Sequence, residues 1–264
     1  MNDAERHRII IDLLKERPFA SVRDLQDRLD VSAATIRRDI DKLDAMGKAR
    51  KVYGGISASE GASSTRVAAR SYDENRDIAV EAKRAIAQKA ASLVRDGDSI
   101  IVHAGSTCYQ LGLLLAHRNL KIYTNSMPLA AYIGENGTCQ LTVAGGELHR
   151  EPRILHDVHG GAPSFFASRF FVGAQGISSE GLLESHPLLT KAVAELASRA
   201  DEIVVLADSR KLSIQPRNLA LPLSRISTIV TDDGLTEADA RMLEDAGVTI
   251  LIADGASDGT GGVN

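Results

Sequence analysis

Small polar residues and a charged pair directly follow apolar runs in the larger part of this 264-residue chain. Gly105, Ser106 and Thr107 come after the run SIIVHA and before an apolar helical pattern. A segment of this kind at a helix start presents backbone N–H groups, hydroxyls and the positive end of the helix dipole, which suits a phosphate. Asp208 follows another apolar run, with Lys211 three residues later. A carboxylate accepts hydroxyl groups and an ammonium binds phosphate, so these residues predict a site for a phosphorylated polyol.

Two further apolar runs end in segments that could belong to the same site. They are followed by Thr124-Asn125-Ser126 and by Gly145-Gly146. Because ligands of open α/β sheets bind at the carboxyl ends of the strands, we expect Asn125, Gly145 and Gly146 to join the polyol site. Each segment alone has a plainer interpretation, since Gly-Gly often only turns the chain and an Asp/Lys pair is often a surface ion pair.

A second set of charged residues lies near the start of the chain. The whole chain carries 31 Lys+Arg against 35 Asp+Glu, a net charge of −4 that by itself argues against nucleic-acid binding. Residues 1–55 nevertheless hold 12 basic and 10 acidic residues, which gives this part +2 and leaves −6 for the remainder. Within it, six cations accompany three carboxylates: Arg37, Arg38, Lys42, Lys48, Arg50 and Lys51, with Asp39, Asp41 and Asp44. Such a concentrated positive charge is typical of a DNA-contacting element.

Three helices and a hairpin are predicted to carry these cations. Ser21 and Asp24 have capping-box spacing for the second helix, and Ser32 is expected to cap the third. The third helix turns Ile36, Ile40 and Leu43 inward and a polar face outward: Ala34, Thr35, Arg37, Arg38 and Lys42. Alternating residues then lead to Gly54-Gly55, as in a β-wing. The pattern predicts a helix-turn-helix, and the alternative is a solvated helix face without a partner.

The polyol site requires an α/β fold with a mainly parallel sheet. Helical patterns alternate with seven continuous apolar runs, which is typical of strands covered on both faces. The predicted strands are 99–104, 121–124, 140–144, 169–173, 202–207, 228–231 and 249–253. We therefore expect a small domain at 1–56, a Gly/Ala/Ser-rich linker at 57–72, a larger domain at 73–254 and a disordered tail at 255–264.

The small domain resembles the winged helix-turn-helix of the DeoR family of bacterial transcription regulators. The family pattern V-S-x-x-T-I-R-R-D-L, followed by x-x-L-x-x-x-G and a basic wing ending in Gly-Gly, is present from Val31 to Gly55. The resemblance implies that 32–42 is a recognition helix, with Ser32 at its start, and that Arg50 and Lys51 contact DNA from the wing. Asp39 is expected to hold Arg37 or Arg38 in position.

The larger domain resembles the sensor domain of the same family, which is similar in fold to sugar-phosphate isomerases such as ribose-5-phosphate isomerase. The matching stretches are EAKRAIAQKAA, DGDSIIVHAGST, YTNS, VAGG, FFVGAQGISSEGL and VVLADSRKL. The resemblance implies a repressor of a carbohydrate-utilisation operon, controlled by a phosphorylated sugar or sugar acid. His103 stands in the effector site where the family often has an acidic residue or Ser. Members of the family often have a lysine on the helix before the run EIVVLAD, at the position that Ala194 occupies here. Lys191 is the nearest lysine that could take its place.

Other function classes remain as alternatives at this point. A sugar-phosphate isomerase with an added domain and a protein-binding scaffold would both fit the predicted folds. His156 and His159 beside Asp157 could ligate a metal but lack a clear third ligand, so neither metal nor cofactor is expected. Only Cys108 and Cys139 are cysteines, and no signal peptide or membrane span is evident, which favours a soluble cytoplasmic protein. The expected partners are operator DNA and the effector, bound by a homodimer or homotetramer that reads paired half-sites.

Overall fold

A computed structural model describes residues 3–16, 19–52, 55–58, 78–157 and 164–253. They fall into two compact units, one built mainly on residues 3–58 and the other mainly on 78–157 and 164–253. Within these ranges no helix is long and apolar enough to cross a membrane. Most of the predicted linker, the start of the predicted larger domain and the predicted disordered tail lie outside the described residues.

The small unit contains three helices and a three-stranded antiparallel sheet. Its elements in chain order are α1 (Asp3–Glu16), β1 (Phe19–Ser21), α2 (Val22–Leu29), α3 (Ala33–Ala45), β2 (Ala49–Val52) and β3 (Gly55–Ala58). β3 lies between β1 and β2, so the wing hairpin is joined to the strand that precedes α2. β3 continues to Ala58, two residues into the predicted linker.

The caps predicted from the sequence begin α2 and α3. Ser21 accepts a hydrogen bond from the Asp24 N–H, and the Asp24 carboxylate accepts one from the Ser21 N–H, both at 3.1 Å. Ser32 accepts from the Thr35 N–H at 3.3 Å. The apolar stripe of α3 is buried with residues of α1, α2 and β3, including Ile10, Leu25 and Ile56. The turn between α2 and α3 is therefore fixed by caps on one side and by the core on the other.

The large unit is an α/β structure. Its elements are α4 (Val80–Ala91), β4 (Ser99–Val102), α5 (Ser106–Leu115), β5 (Lys121–Thr124), α6 (Met127–Asn136), β6 (Gln140–Val143), β7 (Glu147–His149), β8 (Ile154–His156), β9 (Ala167–Gly173), β10 (Gly176–Ser178), β11 (Gly181–Glu184), α7 (Pro187–Ala197), β12 (Ala200–Leu206), β13 (Asn218–Pro222), β14 (Thr228–Asp232), α8 (Glu237–Asp245) and β15 (Thr249–Ala253). Short 3₁₀ helices occupy Ser209–Ser213 and Leu223–Arg225.

Seven parallel strands form the main sheet, in the order β15-β14-β12-β9-β4-β5-β6. These are the seven strands predicted from the apolar runs. Phe170 and Phe171 are adjacent on β9, so their side chains point to opposite faces, and both are fully buried. The sheet is thus covered on both faces, which confirms the predicted fold class.

The order of the strands reverses at the centre of this sheet. From β4 the chain proceeds outward through β5 and β6, and from β9 it proceeds in the opposite direction through β12, β14 and β15. Such a switch point opens a crevice between two neighbouring strand ends, where ligands of open α/β sheets bind. Here the switch point lies between β4 and β9.

Two small antiparallel sheets were not expected from the sequence. β7 and β8 form a hairpin, and β10, β11 and β13 form a three-stranded sheet. Both lie close to the crevice, because Pro152 of the β7–β8 turn and Glu184 at the end of β11 line it.

Candidate functional site

The outer face of α3 is the surface that the sequence predicts to contact DNA. Ile36, Ile40 and Leu43 are buried, while Ser32, Ala34, Arg37 and Arg38 are exposed and Thr35 is half-buried. Small residues at the start of the helix and two exposed guanidinium groups one turn later suit entry into a major groove. Ser32 also caps the helix, so its hydroxyl orients α3.

Asp39 does not hold Arg37 or Arg38, and that expectation is wrong. Its carboxylate is 1% exposed and accepts two hydrogen bonds from Arg6 of α1, at 2.7 and 3.1 Å. Nε2 of His7 lies 3.0 Å from the same carboxylate. The hydrogen bonds that Arg6 donates to Asp39, followed by the one that it donates to Asp3, raise the pKa of Arg6. Asp39 follows Ile36 by three residues and therefore lies on the inward stripe of α3, where it joins α3 to α1.

Two of the predicted DNA-contacting lysines form exposed ion pairs. Lys42 lies 2.6 Å from Asp3, and Lys51 lies 2.7 Å from Asp41. The Lys42 hydrogen bond, followed by that of Arg6, lowers the pKa of Asp3 to about 2. Exposed pairs of this kind are weak and exchange readily, so both ammonium groups can pass from a carboxylate to a phosphate. Arg50 is half-buried on β2.

A pocket lies at the switch point of the large unit. Its wall is formed by the residues that follow β4, by the end of β9 and by the residues that follow β12. Side chains from other elements complete it: Lys83 of α4, Pro152, Glu184 and Leu189. Of the predicted effector residues, the pocket brings together His103, Gly105, Ser106, Thr107, Asp208 and Lys211.

The segment after β4 has the geometry expected of a phosphate-binding helix start. Gly105 is the N-cap of α5 and has φ 125°, which a residue with a Cβ rarely adopts. The segment is held from β5, because the Ala104 N–H donates to the Asn125 side-chain oxygen at 3.2 Å. The N–H groups of the first turn of α5 and the hydroxyls of Ser106 and Thr107 are thus presented at the pocket.

Asp208 is a buried carboxylate in the pocket wall. Its Oδ1 accepts a hydrogen bond from Arg210 at 2.6 Å, whereas its Oδ2 has no hydrogen-bond partner among the described residues. Burial alone would raise the pKa of Asp208. The hydrogen bond and charge of Arg210, with the charges of Lys211 and Lys83, outweigh burial and lower that pKa. Asp208 is therefore ionised and has an oxygen available to a ligand.

His103 is a neutral hydrogen-bond acceptor. Its Nδ1 lies 3.0 Å from the Ala104 carbonyl oxygen, which can only accept, so the ring proton is on Nδ1. Burial lowers the pKa of His103 to about 4, although the Ala104 hydrogen bond opposes this effect. Nε2 is consequently unprotonated, and it has no partner among the described residues.

Glu184 lines the pocket, although no sequence motif singled it out. It ends the fully buried strand β11 and is 6% exposed. Burial raises the pKa of Glu184 to about 7, against the opposing effects of the Ser185 and Gln175 backbone N–H groups and the charge of Lys211. Its Oε2 has no partner within the described part of the chain.

Lys83, which belongs to the family-like stretch EAKRAIAQKAA, also lines the pocket and is 4% exposed. A sequence signal existed for it, because Lys83 falls on the same helical stripe as Ala87 and Ala90, which are fully buried. Lys191, in contrast, does not line the pocket. It is 62% exposed and lies 3.7 Å from Glu195, so it is a surface residue. The pocket lysines are Lys83 and Lys211.

Three predicted effector residues do not line the pocket. Asn125 supports the Ala104 N–H from β5, one strand beyond the pocket. Gly145 and Gly146 follow β6 and are exposed. Gly146 has φ 101°, and a Cβ there would collide with the His156 carbonyl oxygen, so this glycine serves the β7–β8 hairpin. The pocket is confined to the ends of β12, β9 and β4 because the strand order reverses there.

No cluster of His, Cys, Asp or Glu suited to a metal ion occurs in the described residues. His156 stacks edge-on against His149 at 6.4 Å between ring centroids. His159 lies outside the described residues.

Comparison with family models assigns both units. Residues 6–61 match the DeoR-like helix-turn-helix domain, and residues 78–233 match the DeoR C terminal sensor domain. The HTH-type transcriptional regulator UlaR of Shigella dysenteriae serotype 1 is 30% identical over 257 residues, covering 95% of this chain and 99% of UlaR. UlaR of Escherichia coli K12 has the same identity and coverage. These relatives are named as regulators, which confirms the predicted regulator and contradicts the isomerase and scaffold alternatives.

Two solved structures illustrate a more distant likeness. Ribose 5-phosphate isomerase A from Neisseria gonorrhoeae is 17% identical with a TM-score of 0.34, covering 51% of this chain and 53% of its own. The β subunit of eIF2B from Chaetomium thermophilum is 13% identical with a TM-score of 0.42, covering 57% of this chain and 48% of its own.

Proposed function

The chain belongs to the DeoR family of helix-turn-helix transcriptional regulators and is related to UlaR, and we propose that it represses a carbohydrate-utilisation operon until a phosphorylated sugar or sugar acid binds its sensor domain. The observation that carries this proposal is the pocket at the switch point between β4 and β9. It combines a helix start suited to phosphate with two lysines and three buried side chains, each with one acceptor atom that has no partner among the described residues.

The DNA-binding half of the proposal assigns a role to each predicted contact residue. Ala34 and Thr35 let α3 approach the bases, and Arg38 reads a base edge, because arginine pairs with guanine through two hydrogen bonds. Arg37, Lys42, Arg50 and Lys51 contact phosphates and supply affinity that depends on salt.

The effector half assigns the phosphate to Gly105, Ser106 and Thr107, with Lys83 and Lys211 as counter-charges. The remainder of the effector lies against His103 and Asp208. Asn125 supports the phosphate segment from behind. Binding and release of the effector shift the regulator between its two states.

We further propose that the protein acts as a homodimer or homotetramer in the cytoplasm. One α3 helix covers only a few base pairs, and two copies read half-sites one helical turn or a multiple of it apart. The acidic large unit repels DNA wherever α3 is not engaged, which keeps non-specific binding weak.

The test uses a 40-bp duplex that the full-length protein selects from a random library. Binding is measured by fluorescence anisotropy between 50 and 300 mM salt, and the slope of log K against log[salt] should be about −0.9 for each phosphate contacted. Phosphorylated sugars and sugar acids are then screened by thermal shift. A compound at 100 times its Kd should stabilise the protein by about 2.7 kcal/mol. Failure to select any duplex, or the absence of a stabilising compound, would refute the proposal.

A further inference from the structure

Unsatisfied buried atoms are concentrated in the pocket. Six buried side-chain atoms lack a hydrogen-bond partner among the described residues, and three of them belong to pocket residues: His103 Nε2, Glu184 Oε2 and Asp208 Oδ2. In each of these side chains a second polar atom is engaged by the protein. Native proteins rarely leave buried polar atoms unpaired, and an unpaired set in one cavity indicates the hydrogen bonds that a ligand completes.

All three atoms can accept a hydrogen bond, which restricts the groups that they bind. His103 Nε2 accepts because the ring proton is on Nδ1. Asp208 Oδ2 accepts because the carboxylate is ionised beside Arg210. Glu184 Oε2 accepts whenever that carboxyl is ionised, and the charge of Lys211 favours that form. Three acceptors on residues that line one pocket require three donors, and the donors of a carbohydrate are its hydroxyl groups.

We propose that Glu184 is a specificity-determining residue, and that with His103 and Asp208 it selects a phosphorylated polyol bearing at least three free hydroxyls over a sugar acid with a free carboxylate. The inference rests on the proposed function, since it concerns the same pocket. A ligand carboxylate would offer only acceptors to three acceptors and would add a like charge beside Asp208.

Proton linkage distinguishes a ligand-binding role of Glu184 from a structural one. Because the pKa of Glu184 is about 7, only about a tenth of the carboxyl is ionised at pH 6 and about nine tenths at pH 8. If hydroxyls donate to the ionised form, affinity rises about tenfold over this interval. The ligand phosphate has a second pKa near 6, and its ionisation raises the affinity by a further factor of about two over the same interval.

The contribution of the other charged groups around Glu184 is separated from its own by a comparison with Glu184→Gln. They come from α4, from the segments after β4 and β12, from the 3₁₀ helix, from β7 and from the start of α7: Lys83, His103, Asp208, Arg210, Lys211, His149 and His186. All of them are retained in Glu184→Gln, so their contributions cancel when the variant is compared with the parent.

The experiment measures binding of four probes to the full-length protein by isothermal titration calorimetry. Inorganic phosphate carries no carbon-bound hydroxyl, glycerol 3-phosphate carries two and glucitol 6-phosphate carries five, whereas 6-phosphogluconate carries four and has a carboxylate in place of the fifth. We expect glucitol 6-phosphate to bind at least tenfold more tightly than the other three. Its affinity should rise about 20-fold from pH 6 to pH 8 in the parent and only about twofold in Glu184→Gln. Glu180→Gln, an exposed position in the turn between β10 and β11, is the matched control and should behave as the parent.

Two results would overturn the inference. If glycerol 3-phosphate binds as tightly as glucitol 6-phosphate, the acceptors do not select for hydroxyls, and if 6-phosphogluconate does, they do not exclude a carboxylate. If the parent changes only about twofold between pH 6 and pH 8, Glu184 does not contact it, and this holds even if the Gln variant fails to fold. In both cases a phosphate compound still binds and the proposed function stands. If none of the four probes binds, both proposals fail.

Discussion

His103 and Glu184 predict two opposite pH dependences of stability in the same pocket. Burial holds the pKa of His103 at about 4, below its ordinary 6.5, and holds that of Glu184 at about 7, above its ordinary 4.5. At position 103 the unfolded chain therefore binds more protons than the folded chain. The free energy of unfolding falls for this reason as the pH falls from 6.5 towards 4. At position 184 the folded chain binds more protons, so stability is gained as the pH falls from 7 towards 4.5.

The two contributions have similar size. Integrating proton binding between pH 7 and pH 4.5 gives a loss of about 2.5 kcal/mol from His103 and a gain of about 2.5 kcal/mol from Glu184. In the parent protein they nearly cancel. Relative to the parent, His103→Asn should therefore gain about 2.5 kcal/mol in unfolding free energy on acidification over this range, and Glu184→Gln should lose about as much. Asparagine suits position 103 because its amide can replace the Nδ1–H that donates to Ala104.

Urea unfolding of the full-length variants at pH 4.5, 5.75 and 7 tests this reasoning. Isoleucine methyl signals separate the units, since Ile100 and Ile101 lie on β4 whereas Ile36 and Ile40 lie on α3. The exposed His117 provides the control His117→Asn, which should match the parent. Equal pH dependence in the parent and both pocket variants would refute the argument that burial sets these two pKa values.

The remaining predictions concern the helix-turn-helix and the β7–β8 hairpin. Arg38→Ala should cost roughly 1–3 kcal/mol of affinity for the selected duplex and relax the preference at one base position; unchanged anisotropy titrations would remove Arg38 from base reading. Asp39→Ala leaves the Arg6 guanidinium without its buried partner, so DNA affinity should fall at least tenfold while ligand affinity stays constant. Loss of both affinities would contradict a role confined to the small unit. Gly146→Ala should lower the melting temperature and the affinity for glucitol 6-phosphate, whereas Gly145→Ala, which has open space around it, should change neither.

The sequence predicted the sheet because its seven strands are continuous apolar runs. Such a run can be recognised without knowing which strands it pairs with. It predicted the starts of α2 and α3 because Ser21, Asp24 and Ser32 act within three residues of their own positions. The short strands β7, β8, β10, β11 and β13 were missed because three to five residues carry little periodicity, and their pairing partners are set by the tertiary fold.

The site was predicted where residues follow strands directly, as for Gly105 and Asp208. The sequence did not predict that Glu184 lines the pocket. A single glutamate after Gly-Leu-Leu does not indicate that its strand is buried or that it ends at a pocket. Gly145 and Gly146 were assigned to the pocket because strand order cannot be read from strand ends. Asp39 was misassigned because Arg38 is adjacent in sequence, although helical periodicity places Asp39 inward with Ile36.

Operator release by a pocket ligand is the most direct test of a sensor-controlled repressor. The full-length protein is bound to its selected duplex at 150 mM salt and titrated with glucitol 6-phosphate, with Asp208→Asn in parallel. We predict that saturating ligand weakens duplex binding of the parent at least fivefold, and that Asp208→Asn binds the duplex normally but no longer responds. A parent protein that binds the ligand yet keeps its duplex affinity, or an Asp208→Asn variant that responds as the parent does, would contradict the account.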